Sequence, residues 1–125
     1  MTFDELYEIA KNTVNPRQLS KHSYAGTVAA AILSEGGSVY TGVCIETPCS
    51  MGYCAEHSAI AAMITAGESR IVKMIAVYQD GTVIPPCGRC REFVRQIDDD
   101  NDQCEVMVEK DTVVTIGDLL PYRRK

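Results

Sequence analysis

The chain lacks any apolar run long enough to cross a bilayer. Its longest weakly polar stretch, YAGTVAAAIL at 24–33, is about half the length that a membrane-spanning helix needs. Its first ten residues, MTFDELYEIA, carry acidic side chains where a secretory signal would carry basic ones. We therefore expect a cytoplasmic protein with no membrane-spanning segment.

The chain also lacks an excess of positive charge. It has 12 Lys and Arg residues against 17 Asp and Glu residues, which gives a net charge of −5. Proteins that bind nucleic acids are usually basic, and the basic residues at 123–125 form only a weak patch. The acidic run DDDND at 98–102 is expected to be a solvated turn. These charges favour a small-molecule partner over a nucleic acid.

Internal repeats, low-complexity segments and linker-like shifts in composition are absent from the sequence. A length of 125 residues fits one domain, and a chain of this size buries roughly two-thirds of its unfolded surface. The apolar content of 46% is ordinary for a globular protein. We predict a single domain over 1–125.

Local patterns predict three helices and five strands. Thr2 and Glu5 form a capping box before the first helix, and Gly67 ends the second. The segment IVKMIAVY is a nearly continuous apolar run, as expected for a central strand. In chain order the predicted elements are a helix at 3–14, strands at 27–33 and 38–45, a helix at 54–66, a strand at 71–78, a helix at 87–97, a strand at 104–109 and an edge strand at 111–115.

This order of elements predicts an α/β fold in which helices pack on one mixed sheet. Each strand–helix–strand stretch is expected to make a right-handed crossover between parallel neighbouring strands. The helices at 54–66 and 87–97 then begin at the same edge of the sheet, beyond the carboxyl ends of its strands. In open α/β sheets, binding and catalytic sites form at that edge.

Three of the six cysteines fall at those two helix starts. Cys87 and Cys90 are three residues apart on a first helical turn, and Cys54 occupies the equivalent place on the other helix. Three thiolates converging from two helix ends suit zinc. Glu56 is rotated about 200° around the helix from Cys54, so it is better placed to reach a substrate than to bind the metal. Zinc with three protein ligands and one free position is catalytic in type.

Other chemistries also fit parts of this pattern. A C-x-x-C pair alone is compatible with a redox disulfide or with a structural zinc site. A structural zinc would need a fourth ligand, for which Cys49 in the preceding loop is the strongest candidate. Cys44 and Cys104 lie in strand patterns and fit small core residues. His57 fits the face of a helix better than a ligand position. An enzyme that acts on polynucleotides would need a basic groove, which the net charge of −5 does not suggest.

The segments Cys54-Ala55-Glu56 and Pro86-Cys87-Gly88-Arg89-Cys90 resemble the two-part motif of the zinc-dependent cytidine deaminase family. A cysteine at the first position resembles the free-nucleoside branch, whose members are homotetramers. The segments CGRCR and DLLP are similar to those of blasticidin S deaminases. The resemblance covers about residues 24–122.

That resemblance implies a three-layer α/β/α fold with a mixed five-stranded sheet. It also implies a hydrolase with one zinc ion per subunit, held by Cys54, Cys87 and Cys90. Its substrate would be cytidine, deoxycytidine or an analogue such as blasticidin S, and its role would be in pyrimidine salvage. Glu56 would move protons from the attacking water to the ring and to the departing ammonia.

The resemblance also suggests which residues surround the metal and the substrate. Arg89 and Arg91 would offset the negative charge of three thiolates, a role that matters more because His57 stands where the family often has an arginine. The family's ribose-binding N-x-E pair aligns with Cys44-Ile45-Glu46, and its stacking aromatic aligns with Gly26, near Tyr24. The remaining predicted substrate contacts are Ala55 and Tyr122, of which Tyr122 would close the pocket, often that of a neighbouring subunit.

Overall fold

The computed structural model describes residues 1–124; Lys125, the last of the three terminal basic residues, lies outside them. The helices are α1 (Phe3–Thr13), α2 (Ala55–Thr65) and α3 (Gly88–Ile97). The strands are β1 (Arg17–Gln18), β2 (Tyr24–Ser34), β3 (Val39–Glu46), β4 (Ile71–Tyr78), β5 (Val83–Ile84), β6 (Glu105–Glu109) and β7 (Thr112–Thr115). Two short 3₁₀ helices cover Pro48–Ser50 and Asp99–Gln103. Every predicted helix and strand is present.

All seven strands in the described part of the chain join one mixed sheet. The five longer strands lie in the order β3-β2-β4-β6-β7, while β1 pairs with the start of β2 and β5 pairs with the end of β4. The pairing of β4 with β6 is parallel, and the other pairings are antiparallel. Because β1 and β5 have two residues each, they leave no alternating pattern that sequence analysis could detect.

The predicted parallel neighbours are correct for one crossover and wrong for the other. Strands β4 and β6, on either side of α3, are parallel neighbours as expected. Strands β3 and β4, on either side of α2, are separated by β2, which pairs antiparallel with both. The hairpin from β2 fixes β3 at one edge of the sheet, so β4 pairs with the other edge of β2. Strands β3 and β4 nevertheless run in the same direction, and α2 and α3 therefore begin at the same sheet edge.

The two faces of the sheet bury separate clusters, which confirms the three-layer α/β/α architecture. Alternate residues of β2 and β4 face opposite sides, as the two-residue period of a strand requires. Ala30, Ile32, Met74 and Ala76 pack in the cluster that contains Ile60 and Met63 of α2 and Val94 of α3. Ala31, Ile75 and Val77 pack against Leu6 and Ala10 of α1.

Helix α2 packs directly on the backbone of β3 at Gly42, which has no side chain. A Cβ atom at Gly42 would lie 2.4 Å from the backbone nitrogen of Ala59. Ser58, beside Ala59, donates its hydroxyl to the Val43 carbonyl at 2.8 Å. This backbone contact fixes the position of α2 on the sheet, and with it the position of the residues at its start.

The acidic segment at 98–102 is only partly a solvated turn, so that expectation is wrong for some of its residues. Asn101 is fully buried, and its side chain bonds to the backbone of Ser69, Ile71 and Val94 at 2.8 to 3.0 Å. Asp102 makes an ion pair with Arg95 at 3.2 Å. Asn101 is therefore a buried connection between α3 and β4 rather than part of an exposed acidic surface.

Within residues 1–124, no helix combines the length and the apolar character needed to cross a membrane.

Candidate metal and active site

Three cysteine side chains meet where α2 and α3 begin. Cys54 is the N-cap of α2, Cys87 is the N-cap of α3, and Cys90 lies in the first turn of α3. The Sγ atoms of Cys54 and Cys87 are 3.4 Å apart, and those of Cys87 and Cys90 are 3.5 Å apart. All three sulfur atoms lie within 4.8 Å of one another. The structure thus brings together the three cysteines that the sequence predicted would converge.

The pKa values of the three thiols shift in different directions, because the thiols differ in burial and in hydrogen-bond partners. Burial alone would raise the pKa of Cys87, but N–H groups of Cys90 and Arg89 and the neighbouring cysteine thiols lower it below its ordinary value. Burial raises the pKa of the Cys90 thiol, and the nearby Glu56 carboxylate raises it further. Burial likewise raises the pKa of Cys54. Burial therefore disfavours the thiolate forms of Cys54 and Cys90, and a cation bound between the sulfur atoms would offset that cost.

The cluster fits zinc in donor type and spacing. Tetrahedral zinc with Zn–S bonds of about 2.3 Å separates its sulfur ligands by about 3.8 Å, close to the separations observed here. Cys90 is buried, Cys54 is half-buried and Cys87 is exposed, so one side of the cluster faces solvent. Among residues 1–124, no fourth Cys, His, Asp or Glu joins the cluster. That arrangement matches a catalytic zinc site better than a closed structural site.

The remaining cysteines lie apart from this cluster. Cys49 is exposed and has a φ of 61°, in the loop before Tyr53. Cys104 is fully buried, and burial raises the pKa of its thiol to about 12. Cys44 is buried, with 8% of the residue exposed, and its Sγ is 3.2 Å from the Thr27 hydroxyl. None of the three supplies the fourth ligand that a structural zinc site would require.

Glu56 is buried beside the cysteines without being one of the clustered donors. It is the second residue of α2 and is only 4% exposed. Burial raises the pKa of its carboxyl group above the ordinary value. Its charge is near enough to Cys54 and Cys90 to raise the pKa of both thiols. A carboxyl group in this position can exchange protons with a molecule bound at the open side of the cluster.

A cavity of about 410 Å³ adjoins Cys54 and contains several of the predicted substrate contacts. Its lining residues are Cys44, Ile45, Glu46, Thr47, Ser50, Gly52, Tyr53, Cys54 and Arg89. Sequence analysis missed Thr47 and Tyr53, although their positions in the loop before Cys54 could have indicated them. A second cavity, of about 550 Å³, lies beside α1 and is lined by Asp4, Tyr7 and Met107 among others, with no cysteine.

The start of β2 explains why the family's stacking aromatic has no counterpart at Gly26. Gly26 has a φ of +87°, and a Cβ atom there would lie 1.9 Å from the carbonyl oxygen of Asn15. No side chain fits at that position. Tyr24, two residues earlier, pairs across the sheet with Glu46 and is 38% exposed. An aromatic ring is therefore available beside the predicted ribose carboxylate.

The other predicted site residues differ in burial and in whether they reach the cavity beside Cys54. Ala55 is fully buried in the core at the first position of α2. Arg89 is exposed at the cavity, whereas Arg91 donates its Nε–H to the Pro86 carbonyl at 2.7 Å. Tyr122 is fully exposed and does not line the cavity beside Cys54 in its own chain. Its predicted role as a lid therefore requires a neighbouring subunit.

His57 lies closer to the cysteines than a solvent-facing helix residue would. Its Nδ1 atom is 3.3 Å from the Sγ atom of Cys90, and its ring stacks on Phe93 of α3. Sequence analysis placed His57 on the face of α2, but the contact with Cys90 depends on how α2 and α3 pack, which local spacing does not specify.

Comparison with known proteins identifies the family. Residues 4–105 match the family model described as the cytidine and deoxycytidylate deaminase zinc-binding region. The chain belongs to the zinc-dependent cytidine deaminase family. Membership makes the protein a zinc-dependent hydrolytic deaminase, in agreement with the cysteine cluster.

Individual members of the cytidine deaminase family align with most of the chain. A cytidine deaminase of Mycobacterium tuberculosis is 31% identical over 96 residues, which cover 75% of this chain and 69% of that protein. A blasticidin-S deaminase of Bacillus cereus is 29% identical over 131 aligned positions, which cover 95% of this chain and 89% of that protein. The crystal structure of a cytidine deaminase from Mycobacterium leprae superposes with a TM-score of 0.81 at 28% identity, covering 97% and 98% of the two chains.

Proposed function

We propose that this protein deaminates a cytosine nucleoside, or an analogue that contains cytosine, at a zinc ion held by Cys54, Cys87 and Cys90. The observation that carries the proposal is the convergence of three sulfur atoms within 4.8 Å at two helix starts, beside a buried carboxyl group. Residues 1–125 would act as a single catalytic domain. Water and the substrate would be consumed, and ammonia and a uracil-type product would be released.

Glu56 would carry the protons of the reaction. Zinc held by Cys54, Cys87 and Cys90 would supply Lewis acidity, which lowers the pKa of a water molecule towards about 7. The Glu56 carboxylate would take a proton from the attacking water and deliver it to N3 of the pyrimidine ring. As the water oxygen bonds to C4, Glu56 would carry the remaining proton of the new C4 hydroxyl group to the amino group, so that the C4–N bond breaks, ammonia leaves and a C4 carbonyl remains. The burial of Glu56 supports this role, because a desolvated carboxyl group holds a proton more readily than an exposed one.

The polypeptide around the cysteines would offset the negative charge of three thiolates. Cys54 and Cys87 cap α2 and α3, so the positive ends of two helix dipoles point towards the cluster. Arg89 at the cavity adds a full positive charge. Arg91 would act less directly, through the Pro86 carbonyl that precedes Cys87. These features would preserve the Lewis acidity of the metal.

The cavity beside Cys54 would hold the remainder of the substrate. Glu46 would accept a hydrogen bond from a sugar hydroxyl, and the Ala55 backbone would contact the base. Cys44, whose thiol meets the Thr27 hydroxyl, would leave the sugar without the amide contact found in the family's ribose site. That difference supports a second candidate substrate, blasticidin S. The alignment of the Bacillus cereus blasticidin-S deaminase over 95% of the chain favours the same candidate.

We further propose a homotetramer that works in the cytoplasm in pyrimidine salvage or in detoxification of a nucleoside analogue. The exposure of Tyr122 supports the oligomer, since that residue would reach the cavity of a neighbouring subunit rather than its own. The acidic net charge of −5 is consistent with a small-molecule substrate rather than a nucleic acid.

The variant Glu56→Gln tests this function because it keeps the shape of the side chain but cannot take up a proton. We expect one zinc per subunit, as in the wild type, and a loss of ammonia release of roughly 10²- to 10⁴-fold, the usual contribution of general acid–base catalysis. Ammonia would be measured with cytidine, deoxycytidine and blasticidin S. Glu8→Gln, at an exposed position of α1, is the matched control and should retain wild-type rates. Turnover by Glu56→Gln at the wild-type rate would contradict the proposal.

A further inference from the structure

The His57 ring is held in one orientation by its neighbours. It stacks on Phe93 with ring centroids 4.4 Å apart and ring planes 11° from parallel. Tyr53 lies on the cavity side, with its ring centroid 6.4 Å from that of His57. His57 is half-buried, and it lies in the first turn of α2, while Phe93 belongs to α3. The stacking therefore depends on the packing of these two helices.

In this orientation the Nδ1 atom points at one cysteine of the cluster. The distance from Nδ1 of His57 to Sγ of Cys90 is 3.3 Å, within the range of a hydrogen bond to sulfur. Nδ1 is not one of the donor atoms that lie within 4.8 Å of one another, so His57 does not join the cluster as a fourth ligand. A thiolate accepts hydrogen bonds, so the contact is favourable when Nδ1 carries the hydrogen atom.

We propose that His57 is a positioning residue that donates an Nδ1–H hydrogen bond to the Cys90 thiolate and so strengthens the hold of Cys90 on the metal. The inference rests on the proposed function, because it requires Cys90 to be a zinc ligand. The hydrogen bond fixes the direction of the sulfur lone pairs and withdraws charge from the sulfur. It acts on the most buried ligand, where fewer water molecules can perform the same task.

Two variants separate the hydrogen bond from the packing of the ring. His57→Leu keeps an apolar side chain against Phe93 but removes the donor. His57→Asn carries an amide N–H close to the position of Nδ1 and loses the stacked ring. Loss of a group that bonds to a metal ligand typically weakens metal affinity by about 10- to 100-fold. We expect that loss in His57→Leu and recovery of most of the affinity in His57→Asn.

Zinc affinity would be measured on the full chain by competition with a chromophoric chelator, without reference to activity. The cobalt-substituted proteins provide a spectroscopic test, because a thiolate that loses a hydrogen bond donates charge more easily. The sulfur-to-cobalt band should move to lower energy in His57→Leu and return towards its original position in His57→Asn. In the zinc-loaded wild type, ¹⁵N NMR should show His57 with its hydrogen atom on Nδ1.

Three results would overturn the inference. They are an unchanged zinc affinity in His57→Leu, an equal loss in both variants, and a wild-type tautomer with the hydrogen atom on Nε2. Cys90→Ala distinguishes this failure from failure of the proposed function. If Cys90→Ala keeps full zinc occupancy, the proposed ligand set is wrong. If Cys90→Ala loses zinc while His57→Leu retains wild-type affinity, only the role of His57 is wrong.

Discussion

At the scale of single residues, the six cysteines show that position in the fold determines what a thiol can do. Cys54 and Cys87 cap helices and face a shared opening, and Cys90 supports them from the buried side. Cys104 is sealed in the core, where burial raises the pKa of its thiol to about 12 and leaves it inert. Cys49 is exposed but lies outside the cluster of donors. Three cysteines are therefore placed to bind a metal ion, and three are not.

Substitutions at Cys90 and Cys49 test this division directly. Cys90→Ala removes one of three converging sulfur atoms, so we expect bound zinc to fall from about one ion per subunit to below about a tenth of that after dialysis. Cys49→Ala is the matched control, since it removes an exposed thiol from the loop before α2, and it should retain full zinc. Elemental analysis per subunit gives both values. Loss of zinc from Cys49→Ala would show that the loop supplies a fourth ligand after all.

At the scale of secondary-structure elements, Glu68 ties the end of α2 to the β2–β3 hairpin. Its carboxylate accepts hydrogen bonds from the Ser34 hydroxyl at 2.8 Å, the Tyr40 hydroxyl at 2.7 Å and the Gly36 N–H at 3.1 Å. The contact lies at the opposite end of α2 from Cys54. Because Gly42 brings the middle of α2 onto β3, the helix is fixed along its length, and its start is held in place for the metal site.

The Glu68 contacts predict a dependence of stability on pH. Hydrogen bonds from Tyr40 and Ser34 lower the pKa of the Glu68 carboxyl group below 4.5. A lowered folded-state pKa stabilises the fold above the unfolded value, and that stabilisation is lost as the pH falls through the folded value. Tyr40→Phe should therefore lower the thermal midpoint at pH 7, and its difference from the wild type should shrink below about pH 4.5.

Thermal unfolding followed by circular dichroism at several pH values measures this difference. Tyr78→Phe is a suitable control, because the Tyr78 hydroxyl receives a hydrogen bond only from its exposed neighbour Gln79 among the described residues. It should change the midpoint little at any pH. A Tyr40→Phe difference as large at pH 3 as at pH 7 would rule out the carboxylate as its source.

At the scale of the whole molecule, α2 presents apolar side chains on both of its faces. Its inner face packs on the sheet through residues such as Ile60 and Met63. Its outer face exposes Ala61, Ala62 and Ile64, of which Ile64 is 45% exposed. A helix that is apolar on all sides is usually covered on all sides. The proposed tetramer would cover the outer face of α2 with another subunit.

The variant Ile64→Glu tests whether this face is a subunit interface. A buried charge without a partner is costly, so we expect the tetramer to dissociate into smaller species. Light scattering after gel filtration measures the mass. Val113→Glu adds the same charge at a comparably exposed position on β7 and should keep the wild-type mass. A wild-type protein that is monomeric, or an Ile64→Glu variant of unchanged mass, would contradict the proposed assembly.

Features that depend on local sequence could be predicted, since the chemistry involved lies within a few residues. The capping box at Thr2, the continuous apolar run of β4 and the cysteines at two helix starts each have a short-range cause. The family motif added the spacing between the two halves of the metal site. These features were sufficient to predict the three layers and the cysteine cluster.

Features that depend on contacts between distant segments were missed or wrong. The position of β2 between β3 and β4 follows from which strand edges remain available, not from any one strand's composition. Asn101 is buried because its side chain pairs with backbone groups that α3 and β4 leave unpaired. Its acidic neighbours in the sequence instead indicated an exposed turn. The contact of His57 with Cys90 likewise arises only when α2 packs beside α3.

The central claim is that the metal has three sulfur ligands and one position open to solvent, and X-ray absorption at the zinc edge tests it most directly. On the fully loaded wild-type protein, we predict three sulfur neighbours at about 2.3 Å and one lighter oxygen or nitrogen neighbour at about 2.0 Å. Four sulfur neighbours would mean a closed structural site, and the proposed hydrolysis would then have no place for its water.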